Sequence, residues 1–401
     1  MAVSAKHVLV ERSPVDIGLT KHINVTSGMS MVQSGRARAS AFRDLINRSS
    51  SVSASSSSSS GNNEDATNTA VGYTAEIGVG ADDTQYTLII DSGSSNTWVG
   101  ADKAYTKTST STNTGNRVFV DYGSGFFYGE EYIDEVTITD DLVIDKQSIG
   151  VASIAIGFSG YDGILGIGPT DLTEGTSGSA TSTIPTVTDN LYEDGTISDE
   201  VIGIYFQPAT SDEEETGVLT WGGTNSSLYT GSITYTDITS TSPASEYWGI
   251  DESITYGSTT IMSSTAGIVD TGTTLIYLPT DAYDEYVSST GATEDESTGL
   301  LTITEAQYEA LDSLYFNIGG TEFELTADAQ IWPRSLNSEV GGDSDSIYLI
   351  VSDIGSTSGS GFDFINGYTF LERFYSVFDT TNSRVGFATT SYTNATSNYS
   401  G

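Results

Sequence analysis

From Val71 onward the chain reads as short alternating runs. YTAEIGVG, YTLII, EYIDEVTI and KQSIGVASIAI place Tyr, Val, Leu or Ile mostly at every second position, between turns of Gly, Asn, Asp and Ser. A period of two is the mark of strands with one face buried. Helical spacing is rare, confined to AYDEYV near residue 284 and AQYEALDSL near residue 310. Ahead of Val71 the pattern differs. IGLTKHINV, Ile17 to Val25, alternates like a strand, and MVQSGRARASAFRDLINR has the make-up of a short basic helix. A serine tract follows from Ser49 to Ser60, broken only by Val52 and Ala54, and reads as a flexible linker. The pattern predicts a mainly β protein preceded by a strand, a helix and a linker.

Two apolar runs end in a carboxylate on a tight turn. LIIDSGSSNTWVGA, Leu88 to Ala101, carries Asp91-Ser92-Gly93-Ser94, and GIVDTGTTLIYLP, Gly267 to Pro279, carries Asp270-Thr271-Gly272-Thr273. Either stretch alone reads as an ordinary β-turn, because Asp, Ser and Gly are common turn residues. Each, however, has a second motif downstream: YDGILGIG, Tyr161 to Gly168, after the first and DFINGYTF, Asp363 to Phe370, after the second. An ordered pair of motifs occurring twice predicts two related β lobes, with a boundary near Thr241.

Composition narrows the possible chemistry. The chain of 401 residues has 54 acidic and 14 basic residues, a net charge of −40, which disfavours nucleic acid and anionic membranes as partners. Abundant Ser, Thr and Tyr with few bases suits work at low pH, where most carboxylates are neutral. With no cysteine and two histidines, both before residue 50, the chain offers no disulfide, no thiol nucleophile and no evident metal site, and no cofactor is expected. Before residue 50 the charge is reversed, with seven basic residues against three acidic and a net +4, leaving −44 on the remainder. A disordered basic tail would account for this segment; the reading adopted is a detachable prosegment held on the acidic body by charge.

Two carboxylates on equivalent turns can meet across a pseudo-twofold axis. A few ångströms apart they cannot both ionise easily and share a proton; the aspartic-protease dyad is the standard example. One carboxylate then takes a proton from water while the other donates to a carbonyl oxygen, which suits amide hydrolysis at acid pH without metal or covalent intermediate. The titration belongs to the pair, so the sequence does not assign the proton to either residue.

The two Asp-Ser/Thr-Gly-Ser/Thr motifs resemble those of the pepsin-like aspartic endopeptidases, and the resemblance runs from Thr67 to Ala388. It is nearest to the family's cysteine-free secreted fungal branch, in WVGADK, SIGVAS, IPTVTDNL and GFDFINGYTFLERFYS. The resemblance implies a bilobal pepsin-like fold: two pseudo-twofold-related β lobes with a cleft between them. It divides the chain into a prosegment and linker (1–60), an N-terminal lobe with a flap (67–240), a C-terminal lobe (241–390) and a polar tail (391–401). It makes Asp91 and Asp270 the catalytic pair. Ser92 and Thr271 become the hydroxyls that cross-brace the two turns, Ser94 and Thr273 the donors to the outer carboxylate oxygens, and Gly93 and Gly272 the room for substrate backbone. VDYGSGFFYGEEY, Val120 to Tyr132, resembles the flap, with Tyr122 as its aromatic tip, Gly123 and Ser124 beside it, and Trp98 as the tyrosine's partner.

Departures from the family pattern carry expectations of their own. Asn366, in Ile365-Asn366-Gly367, stands where an apolar residue is usual; it is either an outer tuner of Asp270 or, as preferred here, a structural group satisfied by backbone. Loops that relatives staple with disulfides must be held by packing and turns. Ser124 replaces the acidic residue of relatives that accept lysine before the cleaved bond, which implies preference for bulky apolar or aromatic residues. The partners implied are protein and peptide substrates, the chain's own prosegment as inhibitor, and pepstatin-type inhibitors, acting on a monomer. A basic side chain of the prosegment should meet the aspartates, with Lys21, Arg36, Arg38, Arg43 and Arg48 all eligible, and processing is expected between Ser55 and Thr67. No signal peptide is visible at the N-terminus. Five Asn-x-Ser/Thr sequons, at Asn24, Asn47, Asn225, Asn394 and Asn398, nevertheless favour a secreted glycoprotein whose leader is missing from this sequence, with a vacuolar or other acidic compartment as the alternative. An inactive binding protein of the same fold would be expected to lack an aspartate, an intact turn or the flap tyrosine, and none is missing. A carboxylate-pair glycosidase gives no reason for duplicated hydroxyl-flanked turns.

Overall fold

The computed structural model describes residues 12–23, 27–49, 71–178, 181–208, 211 and 214–400. The linker beyond Ser49, the expected processing region Ser55 to Thr67 and the sequon at Asn24 lie outside the described residues.

The N-terminal segment forms β1 (Val15–Ile23) and α1 (Gly28–Ser49). The helix is longer than the sequence pattern suggests. Ser27 and Ser30 cap its start reciprocally, each hydroxyl accepting the other's backbone N–H, so it begins three residues before Met31. The first lobe follows with β2 (Val71–Val79), β3 (Thr84–Asp91), β4 (Trp98–Val99), β5 (Thr112–Asp121), β6 (Phe126–Thr139), β7 (Leu142–Ile156) and β8 (Gly163–Gly166), then α2 (Val187–Glu193), β9 (Val201–Phe206), β10 (Glu214–Trp221) and β11 (Thr230–Asp237). The second half contains β12 (Gly249–Tyr256), β13 (Thr259–Val269), β14 (Ile276–Leu278), α3 (Thr280–Thr290), β15 (Thr293–Glu294), β16 (Leu301–Ile303), α4 (Glu305–Glu309), β17 (Leu314–Ile318) and β18 (Thr321–Leu325). It closes with β19 (Ile347–Tyr348), β20 (Val351–Asp353), β21 (Ile365–Asn366), α5 (Tyr368–Leu371), β22 (Phe374–Asp379), β23 (Arg384–Thr389) and α6 (Ser397–Ser400).

One sheet runs β11-β23-β22-β9-β10-β1-β2-β3-β8-β4-β7-β6-β5, and a second runs β18-β17-β12-β13-β21-β14-β20. Strands before Thr241 (β9, β10, β11) therefore share a sheet with strands after it (β22, β23), so the two halves are joined by common backbone pairing and not only by a cleft. β1 lies between β10 and β2 in the same sheet. Its period of two turns Leu19, Lys21 and Ile23 inward. The buried Lys21 ammonium meets Glu372 at 2.6 Å, and Tyr73 Oη donates to the same carboxylate oxygen.

Without disulfides, the loop after β4 is held by a carboxylate. Asp134, fully buried on β6, accepts from Tyr105, Thr110 and Ser111. The segment 391–399 is not a loose tail. Arg373 donates to the Tyr392 and Ala395 carbonyls, and the Asp328 carboxylate accepts the Asn398 and Tyr399 N–H groups. Asn398 is itself buried, with its amide donating to the Ile331 carbonyl, so that sequon is closed to modification in this fold. No helix among the described residues is long and apolar enough to cross a membrane.

Candidate active site

The same local construction occurs twice. β3 runs parallel to β8, with Ile90 beside Leu165, and ends at Asp91; β13 runs parallel to β21, with Val269 beside Asn366, and is followed by Asp270. Buried apolar strands carry each carboxylate to the interface of the lobes and exclude water along the way. The turns then lock each other. Ser92 N–H donates to Thr271 Oγ1 and Thr271 N–H to Ser92 Oγ, both at 2.9 Å. Each hydroxyl in turn donates across to the other strand, Thr271 to the Ile90 carbonyl at 2.8 Å and Ser92 to the Val269 carbonyl at 3.1 Å. Four hydrogen bonds thereby satisfy six buried polar groups without water.

Each carboxylate is held by its own turn. Gly93 N–H and Ser94 Oγ donate to Asp91 at 3.0 and 2.5 Å, and Gly272 N–H and Thr273 Oγ1 donate to Asp270 at 3.0 and 2.6 Å. Each glycine lies against the opposite carboxylate: a Cβ on Gly93 would come 2.6 Å from Asp270 Oδ1, and one on Gly272 would come 2.5 Å from Asp91 Oδ1. Any larger residue would drive the two turns apart.

Arg38, on α1, enters this space. Its Nε donates to Asp270 Oδ2 at 2.8 Å, and its Nη2 donates both to Asp270 Oδ1 at 3.1 Å and to Asp91 Oδ1. Of the five basic candidates, this one reaches the pair. Lys21 meets Glu372, Arg36 reaches the Asp353 carbonyl at the rim, and Arg43 donates to Ser356. The side chain of Arg48 lies outside the described residues. The shared cation separates the two aspartates. Burial pushes both carboxyls up. At Asp270 the Arg38 charge and hydrogen bond, with the Thr273 and Gly272 donors, outweigh burial and hold the group below the ordinary carboxylate range. At Asp91 burial, with the Asp270 charge added, outweighs the Arg38 charge, and the group stays above it.

α1 is fixed over the cleft by apolar seating. Met31, Val32, Ala39 and Phe42 are buried, Phe42 against Tyr247 and Phe362. Tyr277 Oη donates to the Met31 and Val32 carbonyls, and Tyr247 Oη donates to the Phe42 carbonyl. Above the helix, β5 and β6 form a hairpin whose tip carries Tyr122, Gly123 and Ser124. Gly123 has φ of +76°, and a Cβ there would strike the Ala37 carbonyl at 2.3 Å, so the tip lies directly on the helix. Trp98 Nε1 donates to Tyr122 Oη at 2.8 Å, and both rings contact Phe158 edge-on. Ile89, Tyr122, Phe158 and Ile164 wall a recess beside Asp91, with Ser124 at its edge and about 40 Å³ left open beside Arg38.

All twelve residues singled out in the sequence thus meet at one place. Three things were not readable there. The identity of the bridging arginine depends on where α1 docks. Phe158 has no motif around it. Asn366 is not satisfied by backbone: its amide donates to the carboxyl of buried Glu252 at 2.8 Å. No cluster of three or more His, Asp or Glu side chains suited to a metal occurs among the described residues.

Comparison with known proteins agrees with this construction. Residues 72–390 match the family model described as eukaryotic aspartyl protease. The chain is 62% identical to polyporopepsin of Irpex lacteus over 335 residues, 83% of this chain and 98% of that protein. It is 32% identical to gastricsin of Cavia porcellus over 337 residues, 79% of this chain and 80% of that protein. It superposes on the crystal structure of aspartic proteinase from Irpex lacteus with a TM-score of 0.80 at 61% identity, covering 82% of this chain and 96% of that one. A mainly β, bilobal chain with a duplicated aspartate turn and this degree of likeness belongs to the pepsin family of aspartic proteases, and it is an endopeptidase that works at acid pH by that family's mechanism.

Proposed function

We propose that Asp91 and Asp270 are the catalytic pair and that the segment before residue 50 is their built-in inhibitor. One observation carries both parts: a single nitrogen, Arg38 Nη2, lies within hydrogen-bond reach of both carboxylates. A water oxygen placed there after the arginine leaves can touch both in the same way. With one proton on the pair, the ionised aspartate takes a proton from that water as its oxygen attacks the peptide carbonyl carbon. The neutral aspartate gives its proton to the carbonyl oxygen. The aspartate that took the water proton then gives it to the amide nitrogen, while the other takes a proton back from a hydroxyl of the tetrahedral carbon. The C–N bond breaks, leaving an amine and a carboxylic acid, and the pair again holds one proton.

The recess walled by Ile89, Tyr122, Phe158 and Ile164 supports a preference for bulky apolar or aromatic residues at the cleaved bond, and Ser124 at its edge offers no carboxylate to a lysine. Tyr122 closes over substrate as part of the flap, braced by Trp98. The excess acid of the body and the basic N-terminal segment fit a zymogen secreted into acidic surroundings and acting as a monomer, with an acidic intracellular compartment as the alternative. The test is proteolysis of a denatured protein at acid pH, with and without a pepstatin-type transition-state mimic. Cleavage blocked by the mimic is expected, with a loss of about 10²–10⁴-fold in Asp91→Asn and in Asp270→Asn. Full activity in either variant would remove the assignment. Sequencing the N-terminus after acidification should place the cut between Ser55 and Thr67, and the protein's presence in culture medium tests secretion.

A further inference from the structure

The support beneath the Asp270 turn differs from its counterpart beneath Asp91. In the first lobe, Ile77 pairs opposite Tyr86, five residues before Asp91, and Leu165 lies beside Ile90. Both are buried and apolar. The same register positions in the second lobe, opposite Thr265 and beside Val269, hold Glu252 and Asn366. These are equally buried, at 1% and 0% exposure. Asn366 Nδ2 donates to Glu252 Oε2 at 2.8 Å, while the Asn366 backbone carbonyl accepts the Asp270 N–H at 3.1 Å. A polar pair in the core is thus one backbone hydrogen bond away from Asp270.

Two atoms of this pair, Glu252 Oε1 and Asn366 Oδ1, have no hydrogen-bond donor. An ionised Glu252 would be a buried charge without a cation and would leave both acceptors unpaired, a combination proteins avoid. A neutral Glu252 has one O–H to give. We propose that Glu252 is held as a neutral carboxylic acid that closes a two-bond ring with the Asn366 amide, and that this ring positions the Asp270 turn. Its O–H donates to Asn366 Oδ1 while Asn366 Nδ2 donates back, so both orphan atoms are satisfied by one proton.

The surroundings agree. Burial pushes the Glu252 carboxyl up to about 8 against the single opposing Asn366 hydrogen bond, and no charged group contributes. The ionisable groups on the elements around it are Asp251 and Tyr256 on β12, Tyr315 on β17, Asp363 ahead of β21 and Asp270 directly after β13, whose carboxylate is taken up by Arg38, Gly272 and Thr273. Asp251 is exposed and accepts from Thr239, Tyr256 Oη accepts from the Asp312 N–H, and the Asp363 carboxylate is occupied by Thr265, Gly359 and Ser360. The group's folded value lies above its unfolded one. The neutral ring therefore stabilises the fold fully at acid pH and loses that contribution as pH rises toward the folded value. Glu252 is a positioning residue: it acts on Asp270 through Asn366 and sets an upper pH limit on the intact site.

The inference rests on Asp270 being catalytic, but its test does not. Glu252→Gln carries the ring donor permanently. In the full chain, the dependence of the unfolding equilibrium on pH between mildly acidic and mildly alkaline conditions should lose one proton, about tenfold in the folding constant per pH unit. Loss of activity on incubation at mildly alkaline pH, assayed after return to acid, should move to higher pH. An identical pH slope in parent and Glu252→Gln overturns the proposal. Should that variant not fold, infrared spectroscopy of the parent with ¹³C-labelled glutamate decides. A protonated carboxylic C=O band at neutral pH that Asn366→Leu shifts is expected; Glu200, whose carboxyl is also held up, contributes a band that this variant leaves in place. No band sensitive to Asn366→Leu overturns the proposal. Undiminished activity in Asp270→Asn would instead overturn the catalytic assignment and leave the slope result standing.

Discussion

Arg38→Ala is the sharpest test of how the cleft is kept closed. The guanidinium is 6% exposed and makes three hydrogen bonds to two buried carboxylates. Removing one partner from a buried ion pair costs about 3–5 kcal/mol. Here the lower end applies, because Asp91 and Asp270 can share a proton once the cation is gone. A cost of about 3 kcal/mol is a factor of about 10² in the population with an open cleft. The apolar seat of α1 at Met31, Val32, Ala39 and Phe42 is untouched, so the closed form still predominates and only the small open fraction rises. The assay is titration of the uncleaved protein near neutral pH with a pepstatin-type mimic. Apparent affinity scales with the open fraction and should rise about 10²-fold. Arg36→Ala is the control: its side chain is 41% exposed and 3.5 Å from Asp353, a rim pair worth at most about 1 kcal/mol, or roughly fivefold. Arg38→Lys keeps the charge without the planar fork and should fall between them. On acidification Asp91, held above the ordinary range, is protonated first and loosens one arm. The Asp270 contact, stabilising above the ordinary carboxylate range, is lost as pH falls through that group's lowered value. Activation should therefore accelerate with falling pH in the parent and depend less on pH in Arg38→Ala. Equal inhibitor affinity in parent and Arg38→Ala would show that the guanidinium does not hold the cleft shut.

Three further outcomes are expected. Ser92→Ala and Thr271→Ala each strand a buried backbone N–H of the opposite turn and should lower stability by about 1–3 kcal/mol in urea titration, with the double variant losing less than the sum because both act in one network; additive losses would contradict the cross-brace. Matched peptides with Phe or Lys before the cleaved bond should favour Phe, and Ser124→Asp should raise cleavage after Lys about tenfold by kcat/KM; comparable parent rates on the two peptides would sink the specificity reading. Tyr122→Phe leaves the buried Trp98 indole N–H without its acceptor and should lower kcat/KM by about tenfold, at a cost of about 1–3 kcal/mol in thermal stability; an unchanged melting temperature would show that the indole finds another partner.

Much of the site could be read before the fold was known, because its chemistry is local. A turn of Asp, a hydroxyl residue, Gly and a second hydroxyl residue supplies its own donors to its own carboxylate, and the apolar run ahead of it guarantees burial. Duplication of that turn, each copy with a downstream partner motif, sufficed for two lobes, and period-two alternation sufficed for the strands. The same pattern marked β1 as a strand, but neither the burial of Lys21 nor its partner Glu372, 351 residues away, could be read from it.

What the sequence left open depends on long-range seating. Arg36, Arg38 and Arg43 lie on one helix with similar neighbours, and only the docking of that helix between Tyr277 and Phe362 decides which of them reaches the aspartates. The halves appear separable at Thr241 along the chain, yet β9 and β22 pair directly, since backbone hydrogen bonding is indifferent to sequence distance. Asn366 shows the limit most plainly. Its type and place were visible, and a backbone partner was the natural expectation. Its actual partner, Glu252, looks like any acidic residue on an alternating strand until β12, β13 and β21 close around it. Local chemistry sufficed to build the pair of aspartates; only tertiary packing, by removing water from particular side chains, decided which charges may stand near them.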